Sequence, residues 1–130
     1  MKRTVDGPEF LDRQKRLRDA LARLDHVRFA DINDEVEPFP LVPGQRYRIR
    51  FVGGRPDATR TVHAHDESGQ HFHIEYPVST QPEWKEMVVT FDRRVYGAKG
   101  RRSPGSAMYV LDDGQTALLA DSDIIEIEDA

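Results

Sequence analysis

The stretch that decides the fold prediction is residues 61 to 76, Thr-Val-His-Ala-His-Asp-Glu-Ser-Gly-Gln-His-Phe-His-Ile-Glu-Tyr. Within it, Asp66 and Gly69 occupy the first and fourth positions of a tetrapeptide, where a type I turn prefers these residue types. A type I turn that is followed by a left-handed glycine closes a three-residue hairpin loop. The stretch therefore predicts a β-hairpin with Glu67, Ser68 and Gly69 in its loop.

This hairpin has one histidine face and one apolar face. The register set by the loop places His65 opposite His71 and His63 opposite His73. Side chains alternate between the two faces of a strand, so the residues between the histidines point the other way. These residues are all apolar, namely Val62, Ala64, Phe72, Ile74 and Tyr76. One face is therefore predicted to join the core, and the other carries four of the five histidines of the chain.

The histidine face is the one place in the sequence that suits metal chemistry. Opposed Cβ atoms of an antiparallel pair lie ~5 Å apart, so imidazoles there can converge on one ion. Zinc accepts imidazole nitrogens, and Asp66 or Glu75 would add a carboxylate. The candidate metal ligands are His63, His65, His71 and His73. A solvated polar face is favoured, and a zinc site, a pH-responsive interface and a polar surface for a macromolecule are the alternatives; no other cofactor is expected.

A basic segment spans residues 93 to 102, where five residues are basic and none is acidic. It inverts the local charge in a chain whose net charge is −4. Arginine binds phosphate through two parallel hydrogen bonds, and tyrosine stacks on bases, so this segment suits nucleic acid. An acidic protein partner and a solvated loop are the alternatives. The candidate binding residues of this segment are Arg93, Arg94, Tyr96, Lys99, Arg101 and Arg102.

The only tryptophan, Trp84, is the remaining candidate binding residue. Its neighbours in the sequence are polar, and tryptophan is frequent among interface hot spots. We favour a position in which Trp84 packs over the end of a small barrel.

The N-terminal part of the chain predicts one amphipathic helix over residues 8 to 28. Its apolar residues recur at spacings of three and four, and they are Phe10, Leu11, Leu17, Ala20, Leu21, Leu24 and Val27. We expect this helix to cover an open end of a sheet, with partner binding or dimerisation as the alternative. Residues 31 to 44 are acidic and contain three prolines, so they predict an extended linker. The predicted organisation is a helical part over 1–30, the linker over 31–44 and a β domain over 45–130.

From Gln45 onward the apolar residues alternate with a period of two, which is typical of half-buried strands. Tyr47, Ile49 and Phe51 alternate with three arginines at 46, 48 and 50. Later strands are predicted at 87–91, extending towards Tyr96, and at 107–111, 116–119 and 124–128, the last with Ile125 and Ile127 inward.

These elements predict an α+β, mainly β fold, in which one N-terminal amphipathic helix precedes six to seven short antiparallel strands. Their pattern over residues 45 to 128 resembles the broad class of SH3-like small barrels, and a compact sandwich is the alternative. Pairing of the first strand with the last would bring the arginine stripe near Glu126 and Glu128.

Composition excludes several classes of function. The chain has no cysteine, which excludes disulfides, thiolate catalysis and cysteine-based zinc sites. Its net charge of −4 gives the whole molecule no attraction to nucleic acid or anionic membrane. It contains no phosphate-binding glycine loop and no nucleophile motif, so we do not expect an enzyme. A metal-dependent hydrolase at the histidines would be the exception.

We therefore predict a non-enzymatic binding module that acts through protein–protein contacts as an adaptor, assembly, regulatory or inhibitory protein. Small cysteine-free chains of this organisation are typical of phages and mobile elements, by analogy of fold. We expect it in the cytoplasm or in a virion, without a membrane partner. The alternatives are a nucleic-acid-binding barrel that uses the basic segment and a metal-binding protein that uses the histidine hairpin. A homo-oligomer would form through the N-terminal helix.

Overall fold

The computed structural model describes residues 1–54, 58–78, 82–96 and 105–130. Only the backbone is described for residues 26, 54, 58–64, 72–78 and 82. In this part of the chain, one antiparallel sheet of eight strands is accompanied by two helices. The elements in chain order are β1 (Lys2–Thr4), α1 (Gly7–Ala22), α2 (His26–Asn33), β2 (Arg46–Gly54), β3 (Ala58–Asp66), β4 (His71–Val78), β5 (Pro82–Tyr96), β6 (Ser106–Val110), β7 (Thr116–Ala120), a 3-10 turn (Asp121–Asp123) and β8 (Ile124–Asp129).

The sheet is built around the long strand β5. Its strands follow the spatial order β1-β8-β2-β5-β3-β4, and β6 also pairs with β5 and carries β7. The mainly β, antiparallel prediction is confirmed. The sheet is not closed within the described residues, so the SH3-like barrel is not confirmed.

Strand β2 has the alternation that its sequence predicts. Tyr47, Ile49 and Phe51 are buried, and the arginines between them are exposed. These three residues form the core together with apolar residues of the neighbouring elements, which are Phe39, Val89, Phe91, Ala107, Tyr109, Ile124 and Ile127. Because β2 lies between β5 and β8, both of its edges are paired along most of its length.

The predicted pairing of the first long strand with the last is confirmed. Arg48 lies opposite Glu128 and Arg50 opposite Glu126. The Arg48 guanidinium approaches the Glu128 carboxylate at 3.5 Å, as expected for a cross-strand pair of opposite charge.

Strand β8 differs from its prediction at one residue. The buried isoleucines are Ile124 and Ile127, while Ile125 is only half-buried. The register between β2 and β8 shifts between Arg50 and Phe51, as at a β-bulge. A bulge inserts one extra residue on one strand, which moves the following side chains to the opposite face. The prediction that Ile125 points inward is therefore wrong, and Ile127 is inward as expected.

The single helix predicted over residues 8 to 28 is wrong, because the helix ends after Ala22 and a second one follows. Leu24 has a left-handed conformation with φ of 55°, and the Asp25 amide donates to the Ala20 carbonyl at 2.9 Å. This is the pattern of a helix C-cap, in which the chain leaves the helical path. The Asp25 carboxylate then caps α2 through the Arg28 amide. The extended linker consequently starts after Asn33 and not at residue 31.

The two helices share a small core that is separate from the core of the sheet. It contains Leu17, Ala20 and Ile32, with Phe29 packed against it. The helices meet the 3-10 turn through polar groups. The Gln14 amide donates to the Ser122 carbonyl at 2.6 Å and to the Asp123 carboxylate at 3.2 Å. Neither helix of the described chain is long and apolar enough to cross a membrane.

Candidate functional site

The histidine hairpin has the register that the sequence predicts. Strands β3 and β4 pair His65 with His71 and His63 with His73. Gly69 has φ of 85°, and the Asp66 amide donates to the Gln70 carbonyl at 3.0 Å. This confirms the three-residue loop with a left-handed glycine. The side chains of the predicted apolar face, and those of the histidines at 63 and 73, lie outside the described residues.

The loop is held by the Asp66 carboxylate. One of its oxygens accepts from the amides of Ser68 at 3.0 Å and Gln70 at 3.1 Å, and also from the Ser68 hydroxyl. The other oxygen faces the Arg93 guanidinium at 3.5 Å. The Ser68 hydroxyl bond, the two amide bonds and the Arg93 charge together lower the pKa of Asp66. One oxygen of Asp66 is thus engaged in the turn and the other by Arg93, and its role as an additional metal ligand stays a prediction.

The end of β5 lies against the end of the hairpin. His65 pairs with Tyr96, and Asp66 pairs with Val95. The His65 and Tyr96 rings are 6.0 Å apart between centroids and inclined by 21°. The His71 ring lies 5.8 Å from that of His65. We call His65, His71, Tyr96 and Arg93 the histidine pole.

The histidine pole joins two constellations that the sequence presented separately, the histidine face and the basic segment. The pairing of β3 with β5 brings them together, and that pairing has no local sequence signal. Glu67 is a further residue that the sequence analysis did not identify. It accepts a hydrogen bond from the Tyr96 hydroxyl at 3.3 Å. Burial, together with the Glu67 charge, raises the pKa of Tyr96, so this hydroxyl stays protonated and keeps its role as a donor.

The first arginine of the basic segment lies at the surface of the pole. The Arg93 side chain is 42% exposed and makes ion pairs with Asp66 and with the neighbouring Asp92. The positive charge of Arg93 is therefore largely balanced by described carboxylates. Lys99, Arg101 and Arg102 lie outside the described residues.

The second arginine of the segment is inside the protein. The Arg94 side chain is 10% exposed, and it pairs with the buried Asp121 carboxylate at 2.7 Å. It also donates to the Phe39 carbonyl at 2.6 Å, while the Phe39 amide donates to Asp121 at 3.0 Å. This closed network ties the 3-10 turn to β5 and to the linker. Arg94 thus has a structural position and does not lie on the surface predicted for the basic segment.

Trp84 lies near the start of β5, opposite Val52 of β2. Its ring centroid is 5.7 Å from that of the buried Phe10 of α1, and the Arg50 guanidinium lies 5.3 Å over the Trp84 ring. The residue nevertheless remains 47% exposed. Trp84 therefore packs against the helix next to the sheet and still presents aromatic surface with a cation stacked on it.

The histidine pole offers few metal ligands in the described part of the chain. His65 and His71 are the two described imidazoles, and no group of three or more histidine, aspartate or glutamate side chains described there is arranged to hold a metal ion. A structural zinc site needs four protein ligands and a catalytic one three. Zinc binding by the full set of four histidines stays a prediction.

No protein-family model, curated protein sequence or solved structure matches this chain. The geometry of the described residues therefore carries the functional inference.

Proposed function

We propose that this chain is a non-enzymatic binding module whose histidine pole binds single-stranded nucleic acid. The observation that carries the proposal is the row of three rings, His71, His65 and Tyr96, on adjacent strands at the end of the sheet. His71 is exposed, and the other two are half-buried. Histidine and tyrosine rings on a sheet provide surfaces on which unpaired bases stack.

The charge that such a ligand needs would come from the residues that follow Tyr96 in the sequence. Lys99, Arg101 and Arg102 lie between Tyr96 and Gly105 in the chain, whereas the charge of Arg93 is already paired with Asp66 and Asp92. The whole chain has a net charge of −4, so attraction to phosphate has to come from this local group. The proposal therefore predicts weak binding at high salt and strong dependence on ionic strength.

A protein partner is the second candidate, and Trp84 supports it. An exposed tryptophan with Arg50 stacked on its ring is the kind of pair that dominates many protein interfaces. An adaptor or regulatory role would then rest on the Trp84 surface and not on the pole. The SH3-like barrel stays a prediction, and neither candidate depends on closure of the sheet.

The stacking part of the proposal is tested by two changes at one position. Fluorescence anisotropy would measure the binding of a labelled oligothymidylate of about 20 nucleotides to the wild type, Tyr96→Phe and Tyr96→Leu. We expect Tyr96→Leu to weaken binding by about 1–3 kcal/mol, because a base loses its stacking surface. Tyr96→Phe keeps the ring and should stay close to the wild type. Equal affinity of the leucine variant and the wild type would overturn the stacking role.

The electrostatic part is tested by charge reversal at Arg101 and Arg102. The double variant Arg101→Glu/Arg102→Glu should eliminate oligonucleotide binding, because the charges that attract phosphate are reversed. Arg28→Glu on α2 is the matched control, since Arg28 is exposed and belongs to another element. Failure of the wild type to bind at low salt would reject nucleic acid as the ligand. If the Trp84→Ala variant keeps its oligonucleotide binding, the Trp84 surface is not needed for the binding at the histidine pole.

A further inference from the structure

The helical pair exposes large apolar side chains that its own core does not use. Leu11 is 57% exposed, Leu24 69% and Val27 65%. Leu11 lies on the side of α1 away from the buried residues Leu17 and Ala20. Leu11 is near the start of α1, and Leu24 and Val27 are at the corner where α1 meets α2.

The corner between α1 and α2 contains a residue whose backbone conformation is unfavourable for its type. Leu24 has φ of 55°, a region in which non-glycine residues are strained, and glycine is the usual residue at this capping position. A glycine there would relieve the strain and would remove exposed apolar surface. A strained, exposed leucine is therefore evidence for a role other than the stability of the single chain.

The middle of the same helix face carries two opposite charges. Lys15 and Asp19 are both exposed and lie four residues apart, so they share one face of α1. Neither side chain forms an ion pair with another described residue. Lysine preceding an acid by four residues is the less favourable order within a helix, so this pair gains little from its own chain.

We propose that α1 packs antiparallel against α1 of a second copy of this chain, about a two-fold axis near Leu17. In the register that sets Lys15 opposite the partner's Asp19, symmetry sets Asp19 opposite the partner's Lys15. Leu11 is then level with the partner's Arg23, beside its Leu24. The exposed face thus has complementary charges at its centre and apolar contacts at both ends, which is the complementarity that a second copy requires. A surface that binds an unrelated partner would not need charges that are complementary to their own copies.

The expected association is weak, because two helices of 16 residues bury a small interface. Sedimentation velocity should therefore cover loading concentrations from about 5 to 500 μM. The wild type should change from monomer to dimer within this range. A wild type that remains monomeric at the highest concentration would overturn the proposal.

A charge exchange tests the register. Lys15→Glu places two acids opposite each other at each of the two contacts and should raise the dissociation constant roughly tenfold or more. Asp19→Lys should act in the same way. The double variant Lys15→Glu/Asp19→Lys restores both pairs in the opposite sense, so its dissociation constant should return to within about threefold of the wild-type value. A double variant that dimerises no better than the single variants would contradict the proposed pairing.

Two further variants separate loss of the interface from loss of folding. Leu24→Gly should weaken the dimer at least threefold or so while its melting temperature at low concentration stays the same or rises. Lys85→Glu on β5 makes the same charge change as Lys15→Glu on an exposed strand residue and should leave dimerisation unchanged. If Leu24→Gly dimerises as well as the wild type, the helix corner is not part of the interface.

Discussion

Arg93 and Arg94 are neighbours in the sequence and have opposite surroundings. The Arg93 side chain is 42% exposed and lies 3.5 Å from the Asp66 carboxylate, whereas the Arg94 side chain is 10% exposed and lies 2.7 Å from that of Asp121. A run of basic residues is therefore not one surface. Its first member belongs to the histidine pole, and its second forms a buried ion pair with Asp121.

Each of these arginines contacts an acid at the end of a different hairpin. Arg93 contacts Asp66 at the end of β3, and Arg94 contacts Asp121 in the turn that follows β7. The two hairpins close in the same way, with left-handed glycines at Gly69 and Gly114. The two hairpins thus turn in the same way, and they differ in the burial of the ion pair at the end of each one.

The largest expected effect is at the buried anchor. Arg94→Ala leaves the Asp121 carboxylate buried without its cation, and we expect a loss of about 3–5 kcal/mol in the free energy of unfolding. Urea unfolding followed by circular dichroism measures this loss. A change below about 1 kcal/mol would show that water reaches Asp121 and that the anchor is not buried as described.

The next effect separates Asp121 from Asp123, an acid two residues further on that pairs with no cation among the described residues. Burial raises the pKa of Asp123 to about 6, and the hydrogen bond from Gln14 offsets part of this rise. A carboxyl whose pKa is higher in the folded protein stabilises the fold at low pH. Its contribution to stability falls as the pH rises from the ordinary value of 3.8 to about 6.

Asp123→Asn removes this cost, since the asparagine oxygen still accepts from Gln14. We expect a gain of about 1–2 kcal/mol in unfolding free energy at pH 7.5 and little difference near pH 4. Thermal melts of both proteins across this pH range provide the measurement. A loss of stability at pH 7.5 would mean that the charged form of Asp123 is the stabilising one.

The shared turn predicts equal effects in the two hairpins. Gly69→Ala and Gly114→Ala each place a Cβ in the left-handed region, which costs about 1 kcal/mol. Gly7→Ala at the start of α1 is the control, because no positive φ and no close neighbour restrict that position. Chemical denaturation compares the three variants. Clearly unequal losses at Gly69 and Gly114 would contradict the common turn geometry.

The smallest effect is at the exposed anchor. Arg93→Ala should lower the free energy of unfolding by less than about 1 kcal/mol, because the half-exposed guanidinium is screened by water and salt and Asp66 keeps its hydrogen bonds in the turn. The difference from the wild type should shrink further in about 1 M salt, where charges interact over only a few ångströms. An effect as large as that of Arg94→Ala would remove the contrast between the two neighbours.

The features that could be predicted from the sequence are those that local residues determine. Asp66 and Gly69 specify a loop whose register follows directly, and the alternation around Ile49 specifies which face of β2 is buried. The pairing of Arg48 with Glu128 also followed, because opposite charges matched once the first and last long strands were paired.

The remaining features depend on distant partners. The bulge that turns Ile125 away from the core arises in the pairing of β2 with β8. The short strand β1 exists because β8 offers it an edge, and the burial of Arg94 requires Asp121, which lies 27 residues away in the sequence. The end of α1 could not be predicted from a glycine, because Leu24 occupies the left-handed position where glycine is usual. The candidate site itself needed the contact between β3 and β5, which joins His65 to Tyr96.

The most direct test of the binding proposal is an NMR titration of the 15N-labelled protein with unlabelled oligothymidylate at low salt. We predict that the largest shift changes fall on His65, Glu67, His71 and Tyr96, with the helices and Trp84 little affected. Shift changes centred on Trp84 or on α1, or none at a ligand excess, would contradict the assignment of the histidine pole as the binding surface.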